Sequence, residues 1–168
     1  MGIVSLPVDS PLRALADRSP TLVVLLRHFG CTFCREAIAD VARSSDAIRE
    51  AGVSVAFVHG ASAATAEPWF RDPALADALV ISDPARDHYR AFGLGRTGAQ
   101  ALVDPRVWAR GAMCALSHGF GPQPADLIRQ LPGVFVVQRD RVLAEYRHLS
   151  PADRPHYVDL VRRARRCA

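Results

Sequence analysis

Lysine is absent. All 21 basic residues are arginine, which excludes Schiff-base chemistry through a lysine amine. No apolar run approaches the roughly 18 to 20 residues that a membrane span requires. Pro7 and Asp9 stand where a secretory signal would place its apolar stretch. Four cysteines are too few and too unevenly spaced for a secreted disulfide framework. There is no internal repeat and no low-complexity tract. These absences lead us to expect a soluble cytoplasmic protein with no membrane partner, and they leave sulfur as the obvious nucleophile.

What is present can bury a core: 168 residues, 49% of them hydrophobic, are expected to form one compact domain over residues 1–168. The net charge of +4 and pI of 9.2 would suit a nucleic-acid partner only if the arginines clustered. They are spread along the chain, and the one cluster, Arg162 to Arg166, falls in the last turns of an expected helix, where cations complement the dipole. No nucleic-acid partner is expected.

Along the chain, residues 1–20 read as a proline-containing lead-in with a short amphipathic piece from Pro11 to Asp17. Leu22 to Leu26 reads as a buried strand. From about Thr32 to Ala51, apolar residues recur at helical spacing and Gly52 supplies a stop. Val53 to Val58 reads as a second strand, Ala63 to Leu75 as a helix limited by Pro68 and Pro73, and Leu79 to Ser82 as a third strand. Asp83-Pro84 is expected to cap a helix through Tyr89 to Phe92. Residues 95–132 read as an insertion, with a short helix opening at Pro105 and running to Leu116. Gly133–Val137 and Val142–Tyr146 make a β-hairpin, and a final helix follows, capped by Ser150 or Asp153 with Pro155 in its first turn. The order β-α-β-α-β-α, then hairpin and helix, predicts an α/β thioredoxin-like fold with a central mixed β-sheet flanked by helices.

Chemistry concentrates at Arg27-His28-Phe29-Gly30-Cys31-Thr32-Phe33-Cys34-Arg35. Two cysteines three apart at a strand-to-helix junction meet free backbone N–H groups and the positive end of a helix dipole, which favour thiolate over thiol. Thiol–disulfide exchange needs one ionised, attacking sulfur and a second close enough to resolve the mixed disulfide. Cys31 is the expected nucleophile and Cys34 the resolving thiol, with Arg27, His28 and Arg35 as supporting cations. Two competing interpretations are a pair of buried core thiols and a zinc site joining Cys31 and Cys34 to Cys114 and His118, although the separation of the two pairs exceeds ordinary finger spacing. Cys114 alone reads as a second resolving thiol or, preferred, as a buried residue of the inserted helix, and Cys167 as exposed near the chain end. Gly93-Leu94-Gly95-Arg96-Thr97-Gly98 matches a dinucleotide-binding pattern but follows a helix rather than a strand, and reads as a helix stop. No cofactor and no metal are expected.

The run Leu26 to Glu36 resembles the active-site segment of the peroxiredoxin-like branch of the alkyl hydroperoxide reductase/thiol-specific antioxidant superfamily. Ser82-Asp83-Pro84 with Tyr89 to Leu94, and Gln130 to Val137 through His148, are similar to further segments of that family. The resemblance implies a thioredoxin fold and thiol-based redox activity at Cys31 and Cys34 in an antioxidant role. Its partners would be a thiol reductant or protein disulfide, with a hydroperoxide as a further candidate substrate and a homodimer as a candidate assembly. The family's Thr or Ser three residues before its peroxidatic cysteine is replaced here by His28. The buried acid of thioredoxins corresponds to Leu25, which leaves Glu36 and His28 as the nearest candidate bases for Cys34. Pro132 is the candidate for the cis-proline that thioredoxins set opposite their cysteines.

Overall fold

The computed structural model describes residues 2–96, 105–122, 129–150 and 152–166. Cys167 lies outside the described residues, as do residues 97–104 and 123–128 of the expected insertion. The elements are β1 (Gly2–Ile3), α1 (Pro11–Arg18), β2 (Thr21–Leu25), α2 (Thr32–Arg43), α3 (Ser45–Glu50), β3 (Ser54–His59), α4 (Ala63–Ala66), two 3₁₀ turns (Glu67–Phe70 and Pro73–Leu75), β4 (Leu79–Ser82), α5 (Asp87–Ala91), α6 (Pro105–His118), β5 (Gly133–Gln138), β6 (Arg141–Arg147) and α7 (Tyr157–Arg165). None of the described helices is long and apolar enough to cross a membrane.

The strands form one mixed sheet in the order β1-β6-β5-β2-β3-β4. β2 runs parallel to β3, and β3 to β4, whereas β5 lies antiparallel to β2 and to β6. All five residues of β2 are buried because the strand is central and both sheet faces are covered. Side-chain alternation divides them. Leu22 and Val24 join Cys31, Cys34, Val41, Phe57, Leu160 and Val161 on the face covered by α2, α3 and α7. Val23 and Leu25 join Leu12, Tyr89, Phe92 and Phe135 on the face covered by α1 and α5.

Several helix boundaries differ from the sequence expectation. The predicted helix over 32–51 is two: the amide of Ser44 turns back onto the carbonyls of Asp40 and Val41, and α3 starts anew at Ser45. The apolar spacing continues across this break, so periodicity alone does not show it. The predicted helix over 63–75 shrinks to α4 and two 3₁₀ turns, each with a proline at its start, where a missing amide costs nothing. α5 begins at Asp87 rather than after Pro84, since Arg86 takes a left-handed conformation (φ 62°). Asp83 still caps this helix, accepting from the amides of Asp87 (3.0 Å) and His88 (2.9 Å). α7 begins at Tyr157 after His156, because the Asp153 carboxylate is spent on the amides of Leu149 (2.7 Å) and Ser150 (3.1 Å). Gly93 stops α5 with φ 62° while Leu94 N–H donates to the Tyr89 carbonyl.

Candidate active site

β2 delivers the chain to the site. At its end the Tyr89 hydroxyl donates to the Leu26 carbonyl and reaches the Val58 carbonyl at 3.2 Å, pinning the tips of β2 and β3 together. Phe29 then anchors the turn that follows, stacking on Trp69 (5.9 Å, 2°) and packing against His59 (5.1 Å) and Phe70 (6.0 Å). Gly30 is required by close approach: a Cβ there would sit 1.7 Å from the Pro122 carbonyl oxygen, and the Gly30 carbonyl accepts from Gly121 N–H at 3.1 Å. The segment after α6 therefore lies directly on the turn that carries the dithiol.

Cys31 is the N-cap of α2, and Cys34 sits one turn in. Both are free thiols and each is only 4% exposed. A hydrogen bond from Cys34 is the main influence lowering the Cys31 pKa to about 6, opposed by burial and assisted by the Arg27 guanidinium and the amides of Cys34 and Phe33. The Arg27 guanidinium stands 3.7 Å from Cys31 Sγ. Cys34 moves the opposite way: donating to Cys31, burial and the Cys31 charge all push its pKa up, while Arg27 N–H reaches its Sγ at 3.3 Å. One sulfur is held ready as an anion and the other keeps its proton, which is the division that a nucleophile and a resolving thiol need.

The supporting residues divide. Arg27 is buried, with its guanidinium near Cys31 Sγ and its backbone N–H near Cys34 Sγ. His28 is buried and its carbonyl accepts from Cys31 N–H at 3.2 Å. Arg35 is a correction: its guanidinium donates to the carbonyls of Phe29 (2.7 Å) and His118 (3.1 Å) and lies 4.3 Å over the Trp69 ring. Three such contacts make it a brace for the turn, and the cation that lowers Cys31 is Arg27. Pro132 lines a cavity of about 20 Å³ together with Arg27, Cys34, His148 and Tyr157. The expected cis bond is not found, for no cis peptide occurs among the described residues. The trans form is the ordinary lower-energy isomer.

Sequence reasoning missed the far wall of this cavity. Burial drives the His148 pKa down to about 4, against the opposing pull of the Asp153 charge and of the nearby backbone of Pro132 and Asp153. The Tyr157 hydroxyl is pushed up by burial, and the Asp40 charge contributes. Glu36, a candidate base for Cys34, is committed to Arg110 (2.7 Å) and Arg154 (3.6 Å), and Arg154 also grips Asp40 through two contacts of 2.7 and 2.8 Å. The zinc set of Cys31, Cys34, Cys114 and His118 does not assemble; Cys114 and His118 are brought to Glu36 instead. Cys114 is buried, as expected.

The sequence profile described as AhpC/TSA antioxidant enzyme matches residues 40–150. That range begins beyond the dithiol, so the reading of Cys31 and Cys34 rests on their surroundings. No curated protein matches the sequence. Among solved structures, reduced Prx3 from Vibrio vulnificus shares 13% identity at a TM-score of 0.66, covering 97% of this chain and 98% of that one. Prx3 from the same organism in complex with H₂O₂ shares 11% at 0.59, covering 97% and 96%. The peroxidoxin BcpB from Mycobacterium tuberculosis shares 19% at 0.58, covering 98% and 94%. These likenesses place the fold among thioredoxin-like peroxiredoxin structures.

Proposed function

Because the chain belongs to the AhpC/TSA antioxidant enzyme family, we propose that it is a thiol-dependent oxidoreductase whose working pair is Cys31 and Cys34. The observation that carries this reading is the opposed shift of two adjacent thiols, Cys31 down to about 6 and Cys34 up. At neutral pH the Cys31 thiolate attacks one sulfur of a substrate disulfide and expels the other as a thiolate. Cys34 then gives up its proton, attacks Cys31 Sγ and releases the second substrate sulfur, leaving a Cys31–Cys34 disulfide. Two electrons pass from the dithiol to the substrate, and a thiol reductant in the cytoplasm returns them.

A second reading is favoured by burial, since 4% exposure of Cys31 admits a small oxidant more readily than a protein disulfide. A hydroperoxide would meet the Cys31 thiolate, its O–O bond would break, and the alcohol would leave with a proton as Cys31 became a sulfenic acid. Cys34 would condense with it to the same disulfide and release water. The Vibrio vulnificus Prx3 solved with H₂O₂ makes this a natural substrate to try.

Mass mapping after one equivalent of hydrogen peroxide, and in parallel after oxidised glutathione, tests both readings. A Cys31–Cys34 linkage that Cys31→Ser abolishes supports the dithiol mechanism, and the faster oxidant identifies the substrate class. Equal consumption of oxidant by wild type and Cys31→Ser would remove both.

A further inference from the structure

We propose that Glu36, Cys114 and His118 form a binding site for a zinc-class divalent cation, separate from the dithiol. The carboxylate oxygen, the sulfur and the imidazole nitrogen of these residues all lie within 4.8 Å of one another, and this is the only such set of three among the described residues. Cys114 and His118 are four apart on α6, so they project from one face of the helix a turn apart. That face packs against α2, which presents Glu36 two residues after Cys34. Two rigid helices, rather than loops, hold the three groups.

The donor chemistry suits zinc or a close relative. Thiolate, imidazole and carboxylate are its ordinary ligands, and three protein ligands leave a fourth tetrahedral position for water or a small anion. One thiolate and one carboxylate balance a dipositive ion, and the thiolate disfavours magnesium and calcium. Bond lengths to zinc imply ligand separations of roughly 3.5 Å, so the set must contract by about an ångström. Glu36 and His118 can supply that through their side-chain torsions, His118 being the last residue of α6 and only half-buried.

The present occupants of these ligands are replaceable. Cys114 Sγ donates to the Thr32 carbonyl across 3.7 Å, a weak contact. Arg110 pairs with Glu36 Oε2 at 2.7 Å and also lies 4.9 Å over the Phe33 ring. Its guanidinium stands where a metal would neutralise the same carboxylate, and the Phe33 contact gives it a place to remain when the oxygen is released. Arg154 has Asp40 as its stronger partner.

Cobalt(II) is the probe, because thiolate ligation gives it a charge-transfer band and tetrahedral geometry intensifies its visible bands. The reduced Cys31→Ser/Cys34→Ser/Cys167→Ser protein should bind one equivalent with both signatures, and zinc should displace it. Adding Cys114→Ser should abolish the charge-transfer band. Adding His118→Gln or Glu36→Gln should weaken binding about 10-fold or more. His118→Gln, at the helix end, keeps the test decisive if a change at buried Cys114 unfolds the chain, which circular dichroism would reveal. Absence of the band, its survival in a folded Cys114→Ser variant, or unchanged affinity in His118→Gln would overturn the proposal.

Discussion

Cys31 at the mouth of α2 and Cys114 in the middle of α6 are both buried thiols, 4% and 8% exposed, yet their acidities move in opposite directions. Cys114 goes up because desolvation is its largest influence. His148, across the cavity from Cys34, follows the same rule, with burial penalising its charged form. Cys31 suffers desolvation too, but a donated hydrogen bond from Cys34, the Arg27 charge and the amides of the first helical turn overturn it. Burial therefore does not make a thiol inert or reactive. The groups buried with it decide, and only the turn between β2 and α2 assembles them.

The largest expected effect separates the two thiols by function. Cys31→Ser should reduce oxidant turnover to background, whereas Cys114→Ser should leave it near wild type; a steady-state assay with an excess of a small dithiol reductant checks both, and equal losses would erase the distinction. Next, Arg27→Met should raise the Cys31 pKa by ~1 to 3 units, seen as slower alkylation at pH 7, while Arg35→Met should shift it far less because that guanidinium serves the turn. Gly30→Ala should destabilise the protein by about 1 to 3 kcal/mol through its clash with the Pro122 carbonyl, measurable by urea unfolding.

The last effect, on the pH dependence of stability, belongs to His148. The folded protein holds it neutral down to about pH 4, whereas an unfolded chain takes up the proton near the ordinary 6.5, so between those values the unfolded state binds more protons. Stability is then lost as pH falls from 6.5 towards 4, by up to about 1.4 kcal/mol per pH unit from this group. His148→Gln should flatten that part of the urea-unfolding pH profile. An unchanged slope would place the histidine outside the burial-dominated class.

Much of this arrangement was legible in the sequence. β2 to β6 lie within a residue of their expected bounds, since runs such as Leu22 to Leu26 and Gly133 to Val137 carry enough apolar surface to demand burial on both sides. The dithiol, its strand-to-helix setting and Arg27 were local and therefore readable. The orientation of Arg35 depends on a carbonyl 83 residues away, and the Asp40–Arg154 pair spans 114. No local pattern announces such contacts, because the sheet order that creates them is set by the whole fold. The break at Ser44 was hidden for the opposite reason, its apolar spacing being the same on both sides.

The most direct test of the central claim is the rate of iodoacetamide modification of reduced Cys114→Ser/Cys167→Ser protein across pH, with the modified residue identified by mass spectrometry. A single titration near pH 6 assigned to Cys31, with Cys34 unmodified through neutral pH, is the expected result. A Cys31 pKa at or above the ~8.5 of a free thiol would contradict it.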